Sequence, residues 1–278
     1  MGKNQLLIKI GLYLTYIAIS LFFLYPLLWV VSYSLKTIPE LFRVPPNILP
    51  ETFNLSNYRH VITNTAVVRQ LWNSFYIVFF GAVGTLVVTI PAAYAFSRLK
   101  FKASNTLMFI VLVFQMISPL VIAIPMYLYF SEIGLLNSHA ALIAIYIALC
   151  IPTATWNIKG FLDTIPREID ESAIIDGCSR LNVVLKIHIP TTMPGIISVT
   201  LLIMVVMWSQ FIVPFILLSN SQLFPISVGL VNLQNVTEAI TTHFLAAATI
   251  LGILPPMLAF IIFQRFIVSA MTEGAVKG

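Results

Sequence analysis

Five stretches of this chain contain no Asp, Glu, Lys or Arg. They lie between Lys9 and Lys36, Arg69 and Arg98, Lys102 and Glu132, Glu132 and Lys159, and Glu238 and Arg265. Each is longer than the roughly 20 residues an α-helix needs to cross a bilayer core. A backbone in lipid must satisfy its own hydrogen bonds, so such runs become helices. A sixth apolar stretch follows Lys186 and ends at the polar run "SNSQ" (219–222). The expected fold is therefore an all-α integral membrane protein, one transmembrane domain over 1–278 with six spans. They are placed at about 11–35, 72–97, 105–130, 139–161, 195–218 and 244–267. Only 9% of the residues are charged, against about 25% in soluble domains. The first run lacks a small-residue cleavage site and is too long for the apolar core of a signal peptide, so it is expected to be the first span.

Lys and Arg set the expected orientation. With the N-terminus inside, the inner segments hold Lys3, Lys9, Arg98, Lys100, Lys102, Lys159, Arg167, Arg180, Lys186, Arg265 and Lys277. The outer segments hold Lys36, Arg43, Arg59 and Arg69, all in one loop. Both termini are thus expected in the cytoplasm. The net charge of +5 reflects this topology and gives no indication of nucleic-acid binding. Cys150 falls in a span and Cys178 in a charged inner loop, which makes a disulfide between them improbable. His60, His139, His188 and His243 are scattered and form no metal-ligand pattern.

Pro119, Pro125, Pro152, Pro214, Pro255 and Pro256 fall within the expected spans. Each removes a backbone hydrogen bond, which suits helices that bend around a path but is also common in membrane helices generally. Asn73, Gln115, Ser118, Asn157 and Gln210 are the polar residues at membrane depth. Such side chains either bond neighbouring helices or contact a solute.

The charge missing from the spans collects in one place. Lys159 to Lys186 holds Lys159, Asp163, Arg167, Glu168, Asp170, Glu171, Asp176, Arg180 and Lys186. Pro166 suits the first turn of a helix. Glu168, Asp170 and Glu171 favour its positive end. Gly177 can take the left-handed conformation that ends it. A second amphipathic stretch follows, with Leu181, Val184, Leu185 and His188 at helical spacing, closed by Pro190 and Pro194. This predicts a cytoplasmic helix–turn–helix over about 163–193. Two roles fit it: an interfacial anchor, or a docking surface for a cytoplasmic partner.

The stretch "ESAIIDGCS" (171–179) resembles the EAA loop of ABC importer permeases, and "IHIPTTMPG" (187–195) resembles the proline–glycine run that follows it. The likeness extends over nearly the whole chain. It includes "YPLLWVVSYSLKT", "AAYAFSRLKF", "FPISVGL" and a tail ending "GAVKG", as in the second permease subunit of maltose-type carbohydrate importers. "SAM" at 269–271 departs from the usual glycine–leucine pair. The resemblance implies a prokaryotic plasma-membrane subunit that forms half of a path for a sugar or oligosaccharide. It implies as partners a second homologous permease, two cytoplasmic ATPase subunits and an extracytoplasmic binding protein. Glu171, Ser172, Ala173, Asp176 and Gly177 would couple to the ATPase, and Gly274, Val276 and Lys277 would belong to a tail touching it. The loop at about 219–243 would face the binding protein. Glycerol-phosphate esters are carried by close relatives and stand as an alternative solute class.

Other classes fit less well. The only Gly–Lys pair is Gly2–Lys3, so the chain has no phosphate-cradling loop and no cofactor is expected in it; ATP would bind the partner. An ion-coupled secondary transporter usually needs ionisable residues at the midplane, and the spans have none. No nucleophile–base or paired-carboxylate arrangement suggests an enzyme.

Overall fold

The computed structural model describes residues 3–99, 101–235 and 242–275, and among them every regular element is helical. The order is α1 (Lys3–Leu35), α2 (Ile38–Leu41), α3 (Ser56–Asn64), α4 (Val67–Arg98), α5 (Ser104–Gln115), α6 (Ala123–Glu132) and α7 (His139–Leu162). Then come α8 (Arg167–Ile175), α9 (Arg180–Val183), a π-turn (Val184–His188), α10 (Ile189–Thr191), α11 (Met193–Ser209) and α12 (Ile212–Leu217). A 3₁₀ turn (Ser221–Leu223), α13 (Ile226–Asn235) and α14 (Thr242–Ala275) complete the chain.

Four helices are individually long and apolar enough to cross a membrane: α1 from Ile8, α4, α7, and α14 as far as Ile267. The other two expected spans are each divided. The stretch 105–130 becomes α5 and α6, separated by 116–122, and 195–218 becomes α11 and α12, separated by Gln210 and Phe211. The prolines explain where the second halves begin. Pro125 and Pro214 each occupy the third position of the new helix. First-turn N–H groups have no intrahelical acceptor, so proline removes nothing there. Pro152, Pro255 and Pro256 instead lie inside unbroken helices.

The chain forms two compact units. One comprises Met1–Val68 with Gly229–Ile253, and the other Arg69–Val228 with Leu254–Gly278. In the first, the α1 end carries Trp29, Tyr33 and a buried Lys36. The Lys36 ammonium sits 4.6 Å from the Tyr33 ring centre and donates to the Asn47 carbonyl. Asn57 of α3 donates to the carbonyls of Ser34 and Lys36, both at 2.9 Å. These bonds tie the proline-bearing loop between α2 and α3 to α1. As its prolines predict, residues 43–55 contain no helix.

The second unit holds a core formed by Ile77, Tyr146, Ala154, Ile158, Val199, Ile203 and Met207. Lipid is as apolar as these side chains, so close packing and hydrogen bonds, rather than escape from water, hold such helices together. Gly195 marks a close approach of α11 to α7. A Cβ added there would lie 2.5 Å from Cγ of Phe161.

Candidate functional site

At the Arg98 end of α4, the expected helix–turn–helix is present. Pro166 caps α8 in extended geometry, and Glu168 and Asp170 stand in the first turn. The helix closes in a Schellman motif. The Cys178 N–H donates to the Ala173 carbonyl and the Gly177 N–H to the Ile174 carbonyl, both at 3.0 Å, with Gly177 at φ +84°. Ser179 then caps α9, its hydroxyl accepting from the Asn182 N–H.

The second stretch departs from a regular helix. From Val184 to His188 the backbone is π-helical, with the Ile189 N–H reaching the Val184 carbonyl. Pro190 has no N–H for the Lys186 carbonyl, which favours the wider turn. The register therefore shifts. Val183, Val184 and His188 are buried, while Leu181 and Leu185 are 65% and 51% exposed. The expected apolar face of Leu181, Val184, Leu185 and His188 is thus split between inside and outside.

The α8 side chains sort cleanly. Glu171, Ser172 and Asp176 are exposed, as is Gly177, whereas Ala173 is buried on the inward side. Beside them Ile174 is 48% and Ile175 84% exposed. Bare apolar side chains outside a membrane span are characteristic of a contact surface.

Beneath this surface lies a buried ionic cluster that sequence reasoning missed. Arg98 Nε lies 2.8 Å from Asp170 Oδ2, and His188 Nε2 lies 2.6 Å from Asp170 Oδ1. Arg98 also donates through Nη2 to the Leu162 and Ile165 carbonyls, at 3.0 and 2.8 Å. Ser97 donates to Asp163 Oδ1 at 2.6 Å. The acidic first turn of α8 was the only trace of this cluster in the sequence. Nothing there distinguished Asp170 from its charged neighbours.

A carboxylate accepts, so His188 donates from Nε2. Its Nδ1 is buried with no hydrogen-bond partner among the described residues. Burial lowers the His188 pKa from the ordinary 6.5, with the Arg98 charge acting the same way, while the Asp170 charge and hydrogen bond oppose them. The neutral ring is therefore the resting form. Exchange of the imidazole C2 hydrogen for deuterium, followed by mass spectrometry across pH, is expected to give His188 a midpoint below 6.5. A midpoint above that value would contradict the assignment.

Within the second unit, a cavity of about 650 Å³ lies between α5, α7 and α11. Its polar groups include Gln115, Thr153 and Gln210, set among rings such as Phe114 and Tyr146; among the described residues no Asp, Glu, Lys, Arg or His lines it. Gln115 donates to the Thr153 hydroxyl at 2.7 Å. Of the other polar residues at membrane depth, Asn73 donates to the carbonyls of Gln222 and Phe224 and so anchors the 219–224 turn. Asn157 bonds back to the Thr153 carbonyl within α7. Ser118 accepts from the Leu120 N–H in the break between α5 and α6. Two of the five thus meet at the cavity. In the tail, Gly274 lies in the last turn of α14, and Val276 and Lys277 fall outside the described residues.

A bundle of apolar helices, interrupted beside a partly open cavity and carrying a charged helix–turn–helix outside its spans, defines a membrane transport subunit. The sequence profile of binding-protein-dependent transport system inner membrane components matches residues 85–273, and the chain belongs to that family. It is a non-catalytic permease component of the inner membrane, and its family works with a binding protein, a partner permease and an ATPase. It is 30% identical to the sulfoquinovosyl glycerol transport system permease protein SmoH of Agrobacterium fabrum, over 92% of this chain and 89% of that one. It is 32% identical to the galactooligosaccharides transport system permease protein GanQ of Bacillus subtilis, over 96% and 94% of the two chains. Its fold matches a chain of a bacterial ABC transporter that imports the acidic polysaccharide alginate. That match has a TM-score of 0.81 at 20% identity and covers 95% and 98% of the two chains.

Proposed function

We propose that this chain forms half of the membrane path of an importer for a sugar or oligosaccharide, pairing with one homologous permease above two ATPase subunits. It crosses the membrane six times, counting α5–α6 and α11–α12 as one divided span each, with both termini in the cytoplasm. The Lys and Arg distribution supports that orientation. The relatives named for sulfoquinovosyl glycerol and galactooligosaccharides support the solute class. The cavity agrees with it, because amides, a hydroxyl and aromatic rings suit a hydroxyl-rich solute, and no lining cation favours a phosphate ester. The chain binds no cofactor, and ATP is held by the partner.

The observation that carries the coupling role is the bare apolar ridge of Ile174, Ile175, Leu181 and Leu185 beside Glu171, Asp176 and Gly177. The ATPase covers it, and the tail from Gly274 adds a second contact. With the partner subunits coexpressed, Ile175→Asp should leave permease abundance unchanged, because Ile175 is 84% exposed. It should lower capture of the ATPase by about 30-fold or more, a loss of about 2 kcal/mol at a buried contact. Unchanged capture would leave the loop as an anchor only.

A further inference from the structure

Asp170 faces away from the proposed docking ridge. Its side chain is 10% exposed, that of Arg98 6% and that of His188 1%. One carboxylate thus joins three separate parts of the chain. Through Oδ2 it holds Arg98, the last residue of α4, whose Nη2 in turn holds the carbonyl of Leu162, the last residue of α7, and that of Ile165 in the link to α8. Through Oδ1 it holds His188, in the π-turn that leads through α10 into α11. Both α7 and α11 line the cavity.

Burying a carboxylate this deeply is unfavourable unless its partners are fixed around it. Its two partners stand on different segments, one bonded to the end of α7 and one leading into α11. We infer that Asp170 is the positioning residue through which movement of α8 reaches the cavity walls. Arg98 carries the movement to α7 and His188 carries it to α11. This rests on the reading that the exposed side of α8 docks an ATPase. A pull on the outer side of α8 cannot leave Asp170 behind, and Asp170 cannot move without its two partners unless a buried ion pair is broken. Glu171, on the exposed side, meets the partner; Asp170 transmits what it does.

The test uses the assembled transporter in lipid nanodiscs or proteoliposomes, with its loaded binding protein, and Asp170→Asn as the variant. Capture of the ATPase and ATP hydrolysis should stay within about twofold of the parent. Solute moved per ATP should fall about tenfold or more, within the range typical of coupling between sites. Normal transport per ATP would overturn the inference. So would loss of ATPase capture in step with transport, since Asp170 would then only shape the docking surface. If Asp170→Asn does not reach the membrane, His188→Leu decides by the same two readouts, because it breaks only the α11 branch. Ile175→Asp separates the two readings: if it leaves capture intact, the docking role itself fails. If it abolishes capture while Asp170→Asn transports normally, only the transmission role fails.

Discussion

Gly177→Val is expected to lower ATPase capture and solute uptake by about tenfold or more, at unchanged abundance in the membrane. Gly177 ends α8 at φ +84°. A residue with a Cβ costs about 1–2 kcal/mol in that region, and a β-branched one is a genuine outlier there. A Cβ at this point meets none of the described residues within 4 Å. The penalty therefore falls on the turn and not on packing. Valine would open the Schellman bonds to Ala173 and Ile174 and rotate α9 away from α8. Since 1.4 kcal/mol is a factor of ten in binding, the loss should be measurable by pull-down. Gly177→Asn tolerates the left-handed region and should retain most of the capture. If asparagine is as damaging as valine, the partner requires a bare glycine surface and the backbone explanation is wrong.

Gly195→Val is expected to reduce stability more than any exposed change in the loop. The new Cβ would stand 2.5, 2.6 and 2.7 Å from three carbons of the Phe161 ring. A ring in a packed helix interface cannot move aside as a flexible chain end can. Overpacking of this kind costs about 1–3 kcal/mol. In detergent the unfolding midpoint should fall by roughly 5 °C or more, at about 2–4 °C per kcal/mol. Phe161→Ala in the same chain should recover part of the loss, with an interaction energy of about 1 kcal/mol. Strict additivity of the two changes would show that the clash is relieved elsewhere.

Charge placement made most of the fold legible. Lys9, Lys36, Arg69 and Arg98 bracket helices that the structure shows at those places. Gly177 and Pro166 stand at the end and the start of α8, because both signals act within one turn of chain. The ionic cluster was hidden for the opposite reason. Arg98, Asp170 and His188 come from three distant segments, and only the fold decides which charge points inward. Asn73 left two roles open in the sequence for the same reason. An amide at membrane depth is chemically suited to a solute, and here it holds the backbone of Gln222 and Phe224 instead. The π-turn at Val184–His188 was invisible to helical spacing, which assumes the period that the turn breaks.

The two divided helices border the same cavity: Gln115 and Ile117 stand at one break and Gln210 at the other. An intact helix resists bending because every change of axis strains a ladder of hydrogen bonds. At 116–122 and at Gln210–Phe211 that ladder is already interrupted. Each half can therefore tilt with fewer backbone bonds to strain, and local bonds such as Gln115 to Thr153 and Ser227 to the Gln210 carbonyl add to the side-chain packing that resists it. The breaks in these two helices thus fall beside the cavity, while α7 on its other side runs unbroken.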